Sequence, residues 1–461
     1  MTACKRPESM LINPFKNKKT RYILPVLAVA CILLFVRYGV IGGSDAEAYI
    51  TASIRVSPLY PSVIALLRLL AGESVYLQVL AVLQCVLLAY SIYSLMVLIG
   101  DRFELSPVLT GLLSAGFFGL YLLRLFIVGE EALYCITVMT EAVTYPVYYL
   151  FVKYAFCAWD EAEPKYLLTA AVLAFILAVT RGQLISLFLV LIALFLILLF
   201  RMTRFGADLG RLKRFAVRSA LCTICYFAGI ALFSCLYHFA ASGMFTTTTM
   251  GKEAVLGAVL YNSSASDIEV FDHNTEAYRL LSAAMTEAEQ QELTWKASKG
   301  WIADRFRHYE ASHDELRECL LDQIQSAYGI GKTSTESRLI VVSVADTCLP
   351  ALMHMNFGRY LKNCVINAFG GLVRSNSILR TPGIIWSFLL YGLSAAFLFL
   401  KNGAYKKEQR LLSLILLSIL MNALFCSFGV FELSRYVYYN FPCFYIALFL
   451  AAFRLVRKKN A

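Results

Sequence analysis

Two carboxylates near the start of the chain are the first residues in this sequence that could act as catalytic groups. Asp45 and Glu47 lie just beyond the end of a long apolar run, Tyr22–Ile41. A carboxylate at the edge of an apolar environment can have a raised pKa and can accept a proton from a hydroxyl group. An Asp at such a place can also simply cap a helix in a solvated loop. The sequence therefore offers Asp45 as a candidate general base, with Glu47 second.

Further charged residues stand at the edges of other apolar runs. Glu141 begins one such run, where an ionisable group is costly and indicates a functional site, unless it faces water at the interface. Arg181 and Arg435 lie in very short links between runs, and a guanidinium there can hold a phosphate or a carboxylate. Glu432 can pair with Arg435 or with a ligand. If these carboxylates and guanidinium groups meet at one membrane surface, together they would suit an anionic lipid headgroup and a hydroxyl acceptor.

The elements that must position these side chains are membrane helices. The chain has 461 residues, of which 59% are hydrophobic and 16% are charged, and its mean hydropathy is +0.65. The charged fraction lies well below the roughly 25% of soluble domains, which excludes disorder, collagen, coiled coil and small disulfide scaffolds. The net charge is +11. Its basic residues lie in short loops between apolar runs, which is typical of loops that face anionic cytoplasmic lipid rather than of nucleic-acid binding.

Ten apolar runs are predicted to cross the membrane, because a spanning helix needs roughly 20 mostly apolar residues. The fifth of them is short. The predicted spans are Tyr22–Ile41, Ser74–Ile99, Pro107–Val128, Ala142–Ala158, Tyr166–Thr180, Gln183–Phe200, Ser219–Ala241, Gly383–Leu400, Leu411–Val430 and Tyr436–Phe453.

The distribution of basic residues predicts the orientation of these spans. More than half of the 42 basic residues fall in the loops and termini of one side, whereas the short loops of the other side carry only Arg55, Arg181 and Arg435. This asymmetry predicts a multi-pass protein of the cytoplasmic (inner) membrane with both termini in the cytoplasm. An even number of spans is required for that arrangement, and ten satisfies it.

The predicted fold class is an all-α polytopic membrane protein in three parts. Residues 1–241 form an N-terminal membrane module of seven spans that carries the catalytic first outward loop. Residues 242–382 form a mostly helical extracytoplasmic region, and residues 383–461 form a C-terminal membrane module of three spans.

Within the extracytoplasmic region, two apolar patches need an interpretation. Leu339–Met353 and Leu361–Val373 are neither long enough nor clean enough to span, so they are predicted to pack or to lie at the interface. Three outward cysteines could pair, and the sequence does not decide whether they do. They are Cys319, Cys348 and Cys364.

The order of short motifs along the chain resembles the membrane glycosyltransferases of the GT-C superfamily. The similarity extends through the sixth span and returns at the final outward corner. The motifs are Asp45 and Tyr49, then Pro58-Leu59-Tyr60-Pro61 with a short amphipathic run after it, Leu80-x-x-Leu83-Gln84, Thr140-Glu141, Arg181-x-Gln183, and Glu432-x-x-Arg435-Tyr436. Gly182 stands where many relatives have a proline.

This resemblance implies an enzyme that moves a sugar from a polyprenyl-phosphate carrier to a hydroxyl acceptor outside the cytoplasmic membrane. The acceptor would be a lipid, a glycan or a protein. Asp45 matches the usual catalytic acid residue of the first outward loop. The catalytic candidates are Asp45, Glu47 and Glu141. The substrate-binding candidates are Arg55, Tyr60, Arg181, Gln183, Glu432, Arg435 and Tyr436. No cofactor is required, and the sequence leaves open a divalent metal shared by Asp45 and Glu141.

Three other functions compete with this one. A polysaccharide polymerase or ligase would centre on Arg and His in the large outer region. A transporter or flippase for a lipid-linked sugar would need charges deep within the spans, whereas Arg124 and Lys153 are expected towards helix ends. A non-catalytic scaffold would leave the charged corners without an explanation.

Overall fold

The chain folds almost entirely into helices. The computed structural model describes residues 18–204, 206, 208–400, 403–429 and 434–459. Within these residues the only strands are β1 (Ile41–Gly42) and β2 (Thr137–Val138), which pair with each other. The chain is an all-α membrane protein, as predicted.

Most helices of the first half of the chain pack as a bundle around one apolar core, and residues 46–80 contribute to a smaller core beside it. A 3₁₀ turn, Gly182–Ser186, connects the eighth and ninth helices. The helices are α1 (Ile23–Tyr38), α2 (Ala46–Ile50), α3 (Leu59–Ala71), α4 (Tyr76–Arg102), α5 (Pro107–Leu122), α6 (Leu125–Val128), α7 (Glu141–Glu161), α8 (Pro164–Thr180), α9 (Leu187–Arg204) and α10 (Leu209–Ser242).

The second half adds a separate helical core and then returns to the bundle. Helices α11 to α16 surround the second core, whereas α18 packs on α7 and α20 packs on α5. The helices are α11 (Met250–Tyr261), α12 (Ala265–Ile268), α13 (Glu276–Gln290), α14 (Ile302–Tyr328), α15 (Thr335–Met355), α16 (Phe357–Arg374), α17 (Thr381–Leu398), α18 (Lys406–Gly429), α19 (Ser434–Val437) and α20 (Asn440–Lys459).

Seven helices of the described chain are long and apolar enough to cross a membrane: α4, α9 with its preceding turn, α10, α15, α17, α18 and α20. All but α15 coincide with predicted spans. The first, third and fifth predicted spans correspond to the shorter apolar helices α1, α5 and α8, and the fourth corresponds to α7. Helix length and composition alone therefore support fewer crossings than the ten predicted.

The outer surface of the helices is apolar where lipid would lie. Large aliphatic side chains such as Val36 on α1, Leu221 on α10 and Leu393 on α17 are largely exposed. Soluble proteins rarely expose such extended apolar surfaces. A hydrocarbon environment explains the exposure of these side chains.

Helix α7 has the dimensions of a membrane span, although polar residues lower its hydropathy. Glu141 is its first residue and Asp160 lies near its end. The 19 residue-to-residue steps from Glu141 to Asp160 rise by about 28 Å, close to the ~30 Å thickness of the hydrocarbon core. Lys153 is the one charged residue between them; it is buried, and its Nζ donates to the Ser94 hydroxyl at 2.7 Å. The expectation that Lys153 lies towards a helix end was wrong.

A cluster of ion pairs fixes the end of the bundle at which Asp160 lies, called here the Asp160 end. Arg410 Nη1 lies 2.7 Å from Asp160 Oδ1, and Arg102 Nη1 lies 3.3 Å from Asp160 Oδ2. Arg102 also pairs with Glu161, and Arg201 donates to the carbonyl of the residue before Asp160. These contacts tie α4, α7, α9 and α18 together, and they gather basic residues that the sequence assigns to one side.

Helix α15 is longer than its apolar patch suggests. Ser334 caps it by accepting the Ser337 amide proton, which adds the polar residues Thr335 to Arg338 to the helix. With 21 residues it is long and apolar enough to cross a membrane, so the expectation that Leu339–Met353 is too short was wrong. It nevertheless packs against α11 and α14, as the packing prediction requires.

Two further features of the region after α10 can be compared with the sequence predictions, its second apolar patch and its cysteines. Helix α16 contains Leu361–Val373 and buries one face against α14 and α18. The three cysteines that the sequence offered for pairing form no disulfide: Cys319, Cys348 and Cys364 are buried free thiols.

A buried carboxylate joins the second core to the loop before α3. Glu253 on α11 is fully buried; its Oε1 accepts from the Thr249 hydroxyl at 2.6 Å and its Oε2 accepts from Arg338 Nη1 at 3.0 Å. Arg55 Nε lies 3.9 Å from the same Oε2. The Arg55 carbonyl also accepts from the Thr248 hydroxyl at 2.6 Å. The loop and the second core therefore share one charged junction.

Loss of this carboxylate should destabilise the protein strongly. Glu253→Ala leaves Arg338 buried without its counter-charge, which costs about 3–5 kcal/mol in comparable buried pairs. Asp346→Ala is the matched control, because the pair of Asp346 with Lys252 is about half exposed and surface pairs contribute only about 0–1 kcal/mol. Thermal denaturation in detergent measures both. Equal midpoints for the two variants would show that the junction does not stabilise the fold.

Candidate active site

Pairing of the two strands brings the first and second charged loops together. β1 runs parallel to β2, with Ile41 opposite Thr137 and Gly42 opposite Val138. Asp45 follows three residues after β1, and Glu141 follows three residues after β2, so the pairing sets both carboxylates at one end of the bundle, called here the Glu141 end. A side chain at position 43 would overlap the Met139 side chain. Glycine there is what allows the two loops to approach.

Glu141 is the buried centre of the site. Its Oε1 lies 2.6 Å from Arg181 Nη1, and its Oε2 accepts from the Thr140 hydroxyl at 3.2 Å. The same hydroxyl accepts from Arg181 at 3.2 Å. Its side chain is 0% exposed, so this carboxylate is held entirely by protein groups.

The charge of Glu141 is stabilised in place despite its burial. Glu141 precedes the apolar part of α7, and burial by itself would raise its pKa. The positive charges of Arg181 and then of Arg435 outweigh burial, so the pKa lies below the ordinary carboxyl value. With one oxygen beside Arg181 and the other bonded to Thr140, this carboxylate is placed to orient the cations of the site.

Arg435 connects the two carboxylates. Its Nη2 lies 2.9 Å from Asp45 Oδ2, and its Nε lies 3.7 Å from Glu141 Oε1. Its Nη1 donates to the Ser44 hydroxyl at 3.2 Å. The side chain of Asp45 is 31% exposed and that of Arg435 is 18% exposed. Charges therefore alternate from Asp45 through Arg435 and Glu141 to Arg181, and the Asp45 end of this row is open.

The backbone beneath Arg435 and Tyr436 is anchored by three polar side chains. The Tyr145 hydroxyl donates to the Arg435 carbonyl at 2.7 Å. Asn422 Nδ2 and Gln183 Nε2 both donate to the Tyr436 carbonyl, at 3.2 and 3.5 Å. Helix α19 is only four residues long, so these bonds do much to fix its place.

The Tyr436 ring lies within cation–π distance of both arginines of the site. The guanidinium carbon of Arg181 is 4.4 Å from the ring centroid, and that of Arg435 is 5.5 Å from it. Cations over an aromatic face are attracted by its quadrupole. The ring thus helps to hold two like charges close to each other.

The glycine after Arg181 has a structural use. The Gly182 amide donates to the Ser57 hydroxyl at 3.2 Å, which ties the third corner to the first loop. Proline has no amide proton and could not make this bond. A glycine at position 182 therefore allows a contact that proline could not make.

Other sequence-predicted residues do not reach this cluster. Glu47 is exposed, and the structure of the described chain shows only its carbonyl in a contact, with Thr51. Tyr60 is buried, and its hydroxyl accepts a hydrogen bond from Gln84 at 2.8 Å. Tyr60 therefore packs α3 against α4. Arg55 lies at the Glu253 junction instead. Glu432 lies outside the described residues.

Two residues of the cluster were missed by the sequence analysis. Tyr145 and Asn422 both lie inside helices of mainly apolar sequence, and the sequence analysis gave them no role. An amide such as Asn422 within an apolar span is costly unless it is bonded, and that cost was the available signal. Tyr145, one of many tyrosines, carried none.

The side chains of this site do not form a metal-binding site. Among the described residues, no three His, Cys, Asp or Glu side chains come together as metal ligands. Asp45 and Glu141 each face an arginine, which would repel a divalent cation placed between them. The residues present thus fit an anion better than a metal.

Comparison with family models, with curated proteins and with solved structures found no match to this chain. Its function is therefore argued from the site itself and from the spacing of the motifs.

Proposed function

We propose that this protein is an integral membrane glycosyltransferase that moves a sugar from a polyprenyl-phosphate carrier to a hydroxyl acceptor on the extracytoplasmic side. The observation that carries the proposal is the row of alternating charges at the Glu141 end. Four segments far apart in sequence supply its members, Asp45, Glu141, Arg181 and Arg435. A partly exposed acid in a row that also holds two cations is what transfer from a phosphate-linked donor needs.

The reaction would be a displacement at the anomeric carbon of the sugar. The acceptor hydroxyl oxygen forms the new bond to that carbon while the bond from the carbon to the phosphate oxygen breaks, through a transition state of oxocarbenium character. Asp45 takes the proton of the acceptor hydroxyl. The electron pair of the broken bond goes to the phosphate, whose charge Arg181 and Arg435 neutralise.

The position of the site in the membrane follows from the two ends of α7. Basic residues crowd the Asp160 end and the loops predicted to be cytoplasmic, so the Glu141 end would face outward. The carrier's phosphate would then meet the arginines at the bilayer surface while its isoprenoid tail stays in lipid. A multi-pass protein of the cytoplasmic membrane with both termini inside agrees with this placement.

Labelling of introduced cysteines checks this orientation. Glu47→Cys lies on the first loop and Lys406→Cys at the start of α18, and both native side chains are exposed. A membrane-impermeant maleimide added to intact cells should label position 47, and it should label position 406 only after permeabilisation. The wild-type protein gives the background from native thiols. Labelling in the reverse pattern would invert the topology and place the site in the cytoplasm.

One observation favours a second candidate, a transporter or flippase for a lipid-linked sugar. Lys153 is buried within the membrane part of α7, where an ionisable group is a feature of transport pathways. Its bond to Ser94 satisfies one of its donors. The row of charges at the Glu141 end has no use in simple transport, and for this reason the glycosyltransferase is preferred.

The experiment that tests the proposal follows the label of a radioactive donor. Sealed vesicles containing the protein receive a panel of polyprenyl-phosphate sugars labelled in the sugar, with the lipid extract of the host as acceptor. A glycosyltransferase moves the label to a new covalent product and releases the carrier phosphate. Label that crosses the membrane still attached to its carrier would indicate the transporter, and label in long chains would indicate a polymerase.

A further inference from the structure

We infer that Arg435 acts as a gate on Asp45, which is released only when the phosphate of the polyprenyl-linked donor occupies the guanidinium. The inference rests on the proposed function, since it names how the same site is controlled. The residue proposed to accept the proton and the residue proposed to bind the leaving phosphate are bonded to each other in this structure, at 2.9 Å between Asp45 Oδ2 and Arg435 Nη2.

The ion pair with Arg435 prevents the Asp45 carboxylate from acting as a base. The Oδ2 oxygen is engaged by a charge-assisted bond, and the neighbouring Ser44 hydroxyl is bonded to the same guanidinium at 3.2 Å. An acceptor hydroxyl that arrived first would meet a carboxylate already bound to a cation. Asp45 could not then remove the proton of a hydroxyl group effectively. For the same reason, water would not hydrolyse the donor.

Arg435 has one N–H group that is available to bind an anion. Within the described chain, its Nε is buried and makes no hydrogen bond, although it lies 3.7 Å from Glu141 Oε1. The phosphate that links the sugar to its carrier is a diester with two terminal oxygens, and these can take two parallel N–H donors of a guanidinium at once. The phosphate would thus satisfy a buried donor and draw the guanidinium away from Asp45.

The structure allows the side chain to move while the chain beneath it stays fixed. The carbonyl of Arg435 is held by Tyr145, and the next carbonyl is held by Asn422 and Gln183. Rotation about the side-chain bonds of Arg435 breaks none of these contacts. The consequence is an order of binding: the phosphate-linked donor enters first and the hydroxyl acceptor second.

Chemical labelling of carboxylates tests the gate without a transfer assay. The purified full-length protein in detergent is treated with an excess of a water-soluble carbodiimide and a glycine ester, and labelling at Asp45 and Glu47 is read by peptide mass spectrometry. Glu47 is the matched control, because it is exposed in the same loop. Farnesyl phosphate is the probe, with inorganic phosphate and farnesol as parallel arms.

The gate predicts that farnesyl phosphate raises labelling of Asp45 severalfold and leaves Glu47 unchanged. In Arg435→Gln, Asp45 should be labelled strongly with or without the probe, and unchanged labelling of Glu47 in that variant shows that the reagent itself is equally reactive in both proteins. An equal effect of inorganic phosphate would assign the site to phosphate alone, whereas an effect of the ester only would assign it to the lipid-linked form. Farnesol should have no effect.

Two results would overturn the gate, and they differ in what else they overturn. If radiolabelled farnesyl phosphate is retained by the protein in equilibrium dialysis while labelling of Asp45 stays constant, the gate is wrong and the proposed function stands. If the probe is not retained, the site does not bind the carrier phosphate, and both the gate and the glycosyltransferase proposal fail.

Discussion

Replacement of Asp45 by asparagine should lower the rate of sugar transfer by on the order of 10²–10⁴, the usual contribution of a general base. Asparagine has nearly the same shape and can still accept a hydrogen bond from Arg435, but it cannot take a proton. The loss should appear in the turnover number, because the phosphate of the donor is bound by the arginines and not by Asp45.

The folding of the Asp45→Asn variant should remain close to that of the wild type. Its pair with Arg435 is partly exposed, with 31% and 18% of the two side chains accessible, and such pairs contribute only about 0–1 kcal/mol. Initial rates normalised to the amount of folded protein, together with the thermal midpoint, measure both effects.

Glu47→Gln is the matched control for this variant. It removes a carboxylate from the same loop, two positions along, but from a side chain that is exposed and that forms no ion pair with the site's arginines among the described residues. Transfer close to the wild-type rate is expected. A large loss in Glu47→Gln with normal turnover in Asp45→Asn would exchange the two assignments, and normal turnover in both would remove the carboxylate base from the mechanism.

The meeting of Asp45, Glu141, Arg181 and Arg435 could be predicted from the sequence because of the membrane itself. Short loops between spans that emerge on one face have little freedom, so their residues must be neighbours. The choice of partners could not be predicted. It depends on the two-residue strands β1 and β2, which are too short to show any alternation of apolar and polar residues.

The helical nature of the chain was likewise evident from its apolar runs, but the limits of individual helices were not. Helix α15 is extended by a cap at Ser334 into residues that have no apolar character. Helix α7 contains a lysine and several tyrosines whose partners lie on other helices, such as Ser94 and Ser418. Tertiary contacts of this kind lower the cost of polar groups in a span, and no sequence window records them.

Replacement of Arg181 by methionine should both destabilise the protein and abolish transfer. Glu141 is fully buried and Arg181 is its nearest cation, at 2.6 Å. Methionine would leave the carboxylate with only Arg435 at 3.7 Å. Removal of one partner from a buried ion pair costs about 3–5 kcal/mol, and a thermal midpoint in detergent well below that of the wild type is expected.

The double variant Glu141→Leu with Arg181→Met separates the structural effect from the chemical one. Replacement of a whole buried ion pair by apolar residues is often neutral or stabilising, so the thermal midpoint should recover. Transfer should stay absent, because the phosphate has lost one of its two cations and Arg435 has lost the carboxylate that orients it. Arg181→Lys, which keeps the charge but loses the forked donors, should be less affected than Arg181→Met in both respects.

The double variant therefore decides what the buried pair is for. Recovery of both stability and transfer would mean that Glu141 and Arg181 only hold α7 and the third corner together, and it would leave Arg435 as the sole cation for the phosphate. No recovery of stability would mean that the pair's hydrogen bonds to Thr140, rather than its charges, support this end of the bundle. Stability without transfer is the result expected if the row of charges is the catalytic centre, because only then do the same two residues carry both a packing role and a chemical one.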